Sequence, residues 1–213
     1  MEDRSFNKVF VLSPHTDDGE LGAGGFISKL IEGGSEVFYI AFSTAEESVP
    51  DHLPKDILKK EVMAACIKLG IPKENIIIHN YEVRKLNYSR QEILENLIEL
   101  RNLHKPDLVL MPSTQDIHQD HSTISNEGLR AFKNITLLGY ELIWNNLEFK
   151  SNAFVGIEEK HLKTKINALR QYSSQSDRSY MNSDFITSLA RVRGVQIGFE
   201  YAESFEVLRW VID

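Results

Sequence analysis

Residues 8–25 read Lys8-Val9-Phe10-Val11-Leu12, then Ser13-Pro14-His15-Thr16-Asp17-Asp18-Gly19-Glu20, then Leu21-Gly22-Ala23-Gly24-Gly25. The first run is short and apolar and predicts a buried strand at Val9–Leu12. The turn that follows packs a histidine and two carboxylates between that strand and an amphipathic stretch. Glu20–Ile31 predicts a helix, closed by Gly33-Gly34. Two adjacent negative charges repel each other unless a cation or a proton compensates them. This turn is therefore the first place to look for a metal site.

Outward from it, strand and helix patterns alternate. Glu36–Phe42, Asn75–His79 and Asp107–Met111 predict three further strands. Lys55–Leu69 and Ser89–His104 predict helices, the latter with Ile93, Leu97, Leu100 and Leu103 near helical spacing. Apolar strands separated by amphipathic helices imply a parallel sheet covered on both faces. The expected fold is α/β, a Rossmann-like three-layer αβα domain with a mostly parallel sheet. Later segments are less regular. Leu137–Trp144, Phe154–Ile157 and Phe205–Val211 read as strands, and Glu158–Tyr172 and Ser183–Val192 as helices. Ser173–Ser179 reads as a polar loop, expected as a mobile rim. This last third completes the sheet and walls the site, so residues 1–213 are read as one domain.

Size and charge bound the function. A chain of 213 residues can bury one substantial core. A formal net charge of −7 gives no bulk attraction to nucleic acid or an anionic membrane. No apolar run approaches the roughly 20 residues that span a bilayer. The N-terminus is polar, without a signal-peptide apolar region. One cysteine, Cys66, excludes an intrachain disulfide and lies in a helical pattern as a small buried residue. The expectation is a cytoplasmic protein acting on a small molecule, with no nucleic-acid or membrane partner. The oligomeric state stays open, a homo-oligomer included.

A second polar cluster, His118-Gln119-Asp120-His121, follows the fourth predicted strand. Doubly wound sheets bind ligands beyond the carboxyl ends of their strands, where the strand order reverses. In the order 3-2-1-4, strands one and four are neighbours there, and the two clusters converge. A catalytic zinc takes three His or carboxylate ligands and keeps a position open. His15, Asp18 and His121 form such a set. Asp17 then suits a base, His118 an oxyanion-stabilising cation, and Asp120 a hydrogen-bond partner that fixes the tautomer of His118 or His121. Each cluster alone has a bland reading, as solvated charges facing a helix dipole. Their shared position at two strand ends argues against coincidence. His52, His79, His104 and His161 lack such partners and read as structural or surface residues. Gly22-Ala23-Gly24-Gly25 invites comparison with a dinucleotide fingerprint, but the third glycine of that pattern would fall at Ile27. The acidic turn would also repel a pyrophosphate. These glycines instead fit close helix-to-sheet packing.

At these residues the chain resembles the LmbE-like, or PIG-L, family of metal-dependent N-acetylglucosaminyl deacetylases. The family's His-Pro-Asp-Asp-x-Glu-x-Gly-x-Gly-Gly pattern appears as His15 to Gly25, and its His-Pro-Asp-His as His118 to His121. Thr16 and Gln119 replace the two prolines. A third block, Lys165, Ala168-Leu169, Tyr172, Ser174-Gln175, Arg193-Gly194 and Tyr201-Ala202-Glu203-x-Phe205, looks similar too. The resemblance implies a zinc enzyme, with another divalent ion such as Fe²⁺ allowed, that removes an N-acetyl group from an amino sugar. It implies His15, Asp18 and His121 as metal ligands, Asp17 as general base and His118 as an imidazolium. Family members often carry an arginine after the second strand; here that segment is Ser43-Thr44-Ala45-Glu46-Glu47-Ser48, with Lys59 and Lys60 later. Two other readings stay in view. One is a non-catalytic sugar-binding protein on the same fold. The other is a non-haem Fe(II) oxygenase using the His15/Asp18/His121 triad.

Overall fold

The computed structural model describes residues 6–212. The polar start at 1–5 and the final residue lie outside the described residues. The elements are β1 (Lys8–Ser13), α1 (Asp18–Glu32), β2 (Glu36–Ala41), α2 (Ile57–Leu69), β3 (Ile76–Ile78), α3 (Arg90–His104), β4 (Leu108–Pro112), α4 (Gln119–Ala131), β5 (Thr136–Tyr140), β6 (Ala153–Ile157), α5 (Glu159–Leu169), α6 (Ser183–Val195) and β7 (Tyr201–Arg209). The sheet order is β3-β2-β1-β4-β5-β7-β6. β1 to β5 pair in parallel, and β7 runs antiparallel to both of its neighbours. The fold is the expected three-layer α/β arrangement.

Alternation along the buried strands builds the two outer layers. Val9 and Val11 face one core with α1, α2, α5 and α6, where Leu30, Val62 and Leu162 pack. Phe10 and Leu12 face the other with α3 and α4, where Ile93, Leu97 and Ile124 pack. The glycines of α1 are packing glycines. A Cβ at Gly22 would lie 2.3 Å from the Tyr140 ring, and one at Gly19 would lie 2.7 Å from Val11. Tyr140 is fully buried and donates to the Leu12 carbonyl at 2.9 Å. Helix α1 thus rides against the sheet where its N-terminus meets the end of β1.

Several boundaries differ from expectation. Leu103 points to solvent at 70% exposure, so the buried stripe of α3 ends before it. β5 stops at Tyr140, and the chain then turns through Leu142 to Asn145. β7 begins at Tyr201, because Tyr201 to Ser204 pair with β6 even though Glu203 interrupts the apolar pattern. Helix α4 had no expected counterpart. Its buried face sets Asp120, His121, Ser125 and Glu127 beside Ile124 and Ala131. The 173–179 segment holds a short 3₁₀ turn, and Glu61 pins its start: Glu61 accepts from Ser173 Oγ at 2.8 Å and from Ser174 N at 2.9 Å. Among the described residues, no helix is long and apolar enough to cross a membrane.

Candidate metal centre at the switch point

β1 pairs with β4 through Val9–Leu108 and Val11–Leu110, so the loops leaving these strands emerge side by side. The β1–α1 turn is rigidly held. Asp18 Oδ2 accepts from the His15 amide at 2.8 Å, and Ser13 Oγ accepts from the Gly19 amide at 3.0 Å. Tyr172 donates to the Thr16 carbonyl at 2.7 Å, beneath the same turn. Glu20 sits against the hydroxyls of Tyr39 and Tyr172, and burial pushes its carboxyl up to about 8. The α4 loop is held by Asp116. Its Oδ1 accepts from the His118 amide at 2.8 Å, and its Oδ2 lies 2.7 Å from His121 Nδ1.

All six residues singled out from sequence come together. His15 Nδ1, Asp18 Oδ2 and His121 Nε2 form a triangle with every edge at 3.2 Å. Tetrahedral ligands about 2.0–2.1 Å from a zinc ion stand about 3.3 Å apart, so this triangle fits one face of such a site. His15, His118 and His121 also bring nitrogen atoms within 4.8 Å of one another. The equal edges of the first set make it the better tripod, and His118 stands beside it. The nitrogens of His15 and His121 that point away from the triangle are engaged. His15 Nε2 lies 3.0 Å from Asp120 Oδ2, and His121 Nδ1 faces Asp116. This is the carboxylate–histidine pattern that orients metal ligands.

Charge balance points the same way. Burial works against charge on His15, but Asp18 and Asp120 outweigh it and raise its pKa to about 9. Burial is likewise overcome at His121, chiefly by Asp18 and Asp116, and its pKa rises to about 10. Burial also opposes charge on Asp18, yet the two imidazoles hold its carboxyl well below the usual range. A buried cluster that draws protons onto its histidines is one that wants a cation.

Asp120 requires a correction. It was expected to bond a ring nitrogen of His118 or His121, but its carboxylate faces His15 instead. Its Oδ2 also accepts from the Arg84 amide, at 2.6 Å. Only its backbone N–H meets His118, donating to Nδ1 at 3.2 Å. Asp120 has no solvent exposure and braces the site from behind. The third sequence block is also chiefly a brace. Lys165 Nζ and Glu203 Oε1 form a buried pair at 2.6 Å, and Glu203 accepts from the amides of Gly25 and Phe26. Gln175, from that block, does reach the cleft.

The centre opens into a cleft of about 290 Å³, bordered by Asp17, His118, Trp144, Gln175 and Tyr180. The Trp144 and Tyr180 rings stack with centroids 4.0 Å apart. Asp17 is raised to about 6, first by burial and then by the charge of Asp18. Sequence reasoning missed Asp116, whose signal is an acidic residue two positions before His118. It also missed Arg84 and Arg178, both on the cleft wall.

Fold and donor geometry define a class: doubly wound α/β proteins with a two-histidine, one-carboxylate centre at the switch point. The chain belongs to the PIG-L family, whose model, described as GlcNAc-PI de-N-acetylase, matches residues 10–132. The diacetylchitobiose deacetylase of Thermococcus kodakarensis is 27% identical over 221 residues, covering 92% of this chain and 81% of that protein. The structure of N,N'-diacetylchitobiose deacetylase from Pyrococcus horikoshii, complexed with its inhibitor MPG, aligns with a TM-score of 0.79 at 25% identity. That alignment covers 96% of this chain and 85% of the other. The hydratase GalB of Pseudomonas putida shares the fold at a TM-score of 0.75 and 18% identity, covering 97% and 98% of the two chains. The fold therefore does not by itself dictate the reaction.

Proposed function

We propose that this chain is a metal-dependent N-deacetylase that hydrolyses the acetamide of an N-acetylglucosamine-type sugar or conjugate, releasing acetate. The observation that carries this reading is the 3.2 Å triangle of His15, Asp18 and His121 with Asp17 beside it on the cleft wall. His15 Nδ1, Asp18 Oδ2 and His121 Nε2 would hold a divalent ion such as zinc. When bound, a divalent cation supplies Lewis acidity toward the amide carbonyl and makes water easier to deprotonate.

The chain's own residues do the rest. Asp17 takes a proton from the attacking water as its oxygen bonds to the carbonyl carbon. A base is most effective when its pKa lies near the working pH, which burial and Asp18 favour at Asp17. The carbonyl oxygen gains charge, and His118 donates to it. An imidazolium has no lone pair at Nδ1 to accept the Asp120 N–H, so the geometry fits a neutral ring donating through Nε2–H. In this reading the ring is neutral, where the family resemblance implies an imidazolium. The carbon–nitrogen bond then breaks, and Asp17 returns the proton to the departing amine. Trp144 and Tyr180 give the cleft an aromatic wall suited to the apolar face of a pyranose. The diacetylchitobiose deacetylases named above act on an N-acetylated sugar, which supports the same substrate class.

The test is acetate release from N-acetylglucosamine, its methyl glycoside and diacetylchitobiose. Each is assayed with protein loaded with zinc or Fe²⁺, after chelation and after metal is restored. Release that is lost on chelation and regained on reloading is expected. Loaded protein that frees no acetate from N-acetylated sugars, or full activity after chelation, would overturn the reading.

A further inference from the structure

We propose that the substrate carries an oxyanion, phosphate or carboxylate, away from its N-acetyl group, and that Arg84 and Arg178 grip it. This rests on the deacetylase reading for the acyl end of the molecule. The first observation is a selective lack of partners. Among the described residues, Arg90, Arg130, Arg191 and Arg193 pair with carboxylates. Arg101, Arg170 and Arg209 bond carbonyl or amide oxygens. Arg84 and Arg178 have no carboxylate partner among the described residues, and both line the cleft beside the donor triangle. The Arg178 guanidinium stands beside the phenol of Tyr180. The chain as a whole carries a net charge of −7, so two unneutralised guanidiniums in one cleft are a local feature.

The second observation is that both arginines sit on backbone that is held in place. Arg84 has a left-handed φ of 66°, a costly conformation for a non-glycine residue. Its amide is bound to the fully buried Asp120, which also faces His15. The grip and the metal centre thus share one brace. Arg178 follows the 3₁₀ turn that buried Glu61 anchors through Ser173 and Ser174, and its own amide donates to the Gln175 carbonyl at 3.0 Å. The planar guanidinium fork matches phosphate and carboxylate oxygens, whereas a neutral sugar offers it no charge to meet.

The experiment compares kcat/KM for N-acetylglucosamine 1-phosphate, 2-acetamido-2-deoxyglucuronic acid and the neutral methyl glycoside. It uses metal-loaded wild type, Arg84→Gln, Arg178→Gln and the double variant. One charged substrate is expected to be preferred by about tenfold or more, the size of a charge-assisted contact. The phosphate and carboxylate arms tell the two oxyanions apart. In the double variant the charged-to-neutral ratio collapses toward one, while elemental analysis finds wild-type metal content. Calorimetry with glucosamine 1-phosphate and glucosaminuronic acid reads the grip independently of turnover, and weakening of the preferred ligand in both single variants is expected. Equal kcat/KM for charged and neutral sugars, or a preference that survives the double variant, would overturn the proposal while leaving the deacetylase reading intact. Arginine-dependent binding of a charged sugar without acetate release from any substrate would do the reverse.

Discussion

The carboxylate of Asp120 stands 3.0 Å from His15 Nε2, so a residue of the second sequence cluster orients the histidine of the first. The two loops are thereby locked together behind the donor triangle rather than merely placed side by side. Removing an outer-shell carboxylate of this kind lowers metal affinity by about 10–100-fold. Asp120→Asn is expected to weaken zinc binding within that range, read by competition with a chromophoric chelator. An unchanged affinity would mean that His15 is oriented by something else.

In the proposed mechanism Asp17 separates binding from chemistry. It borders the cleft but stands outside the donor triangle, which is closed by Asp18. Asp17→Asn is expected to keep its metal and lose acetate release by about 10²–10⁴-fold, the range for a lost general base. Metal content by elemental analysis and kcat on the same preparation check both halves. Loss of the metal instead would make Asp17 a ligand.

The sheet core was legible in sequence because β1, β2 and β4 are buried on both faces and read as plain apolar runs. The clusters at the ends of β1 and β4 were legible because ligand-binding chemistry gathers where the strand order reverses. What escaped was polar and buried. Helix α4 buries Asp120, His121 and Glu127, whose burial no apolar run announces. The start of β7 hides behind Glu203, whose partner Lys165 lies 38 residues away. Asp116 stands out only through its contact with His121, which no apolar pattern announces. A pattern of apolar spacing cannot report side chains that are buried because they are paired.

His79 illustrates the opposite case, a buried polar group left unpaired. Its Nε2 has no hydrogen-bond partner among the described residues, and its ring stacks on Phe42 at 5.6 Å. Burial holds its pKa below the ordinary value. The unfolded ring titrates at about 6.5. As the pH falls through that value the unfolded state takes up the proton first, so stability present above it is lost toward the lower folded pKa. His79→Phe removes this term. The gap in urea midpoint between variant and wild type is expected to move in the variant's favour from pH 7.5 to pH 5. A constant gap would show that His79 titrates alike in both states.

The Lys165–Glu203 pair decides whether the third sequence block acts on substrate or on the fold. Both side chains are buried, at 7% and 5% exposure, and Glu203 also takes two amides of α1. Removing one member of a buried pair strands the other charge and costs about 3–5 kcal/mol. Lys165→Met is therefore expected to lower the unfolding free energy by about that amount. Lys165→Met with Glu203→Gln should recover part of the loss, because the stranded charge is gone and an amide oxygen still accepts from Gly25 or Phe26. Chemical denaturation of the three proteins measures both steps. If Lys165→Met were as stable as wild type but bound sugar poorly, this lysine would belong to the substrate site and the packing account would fail.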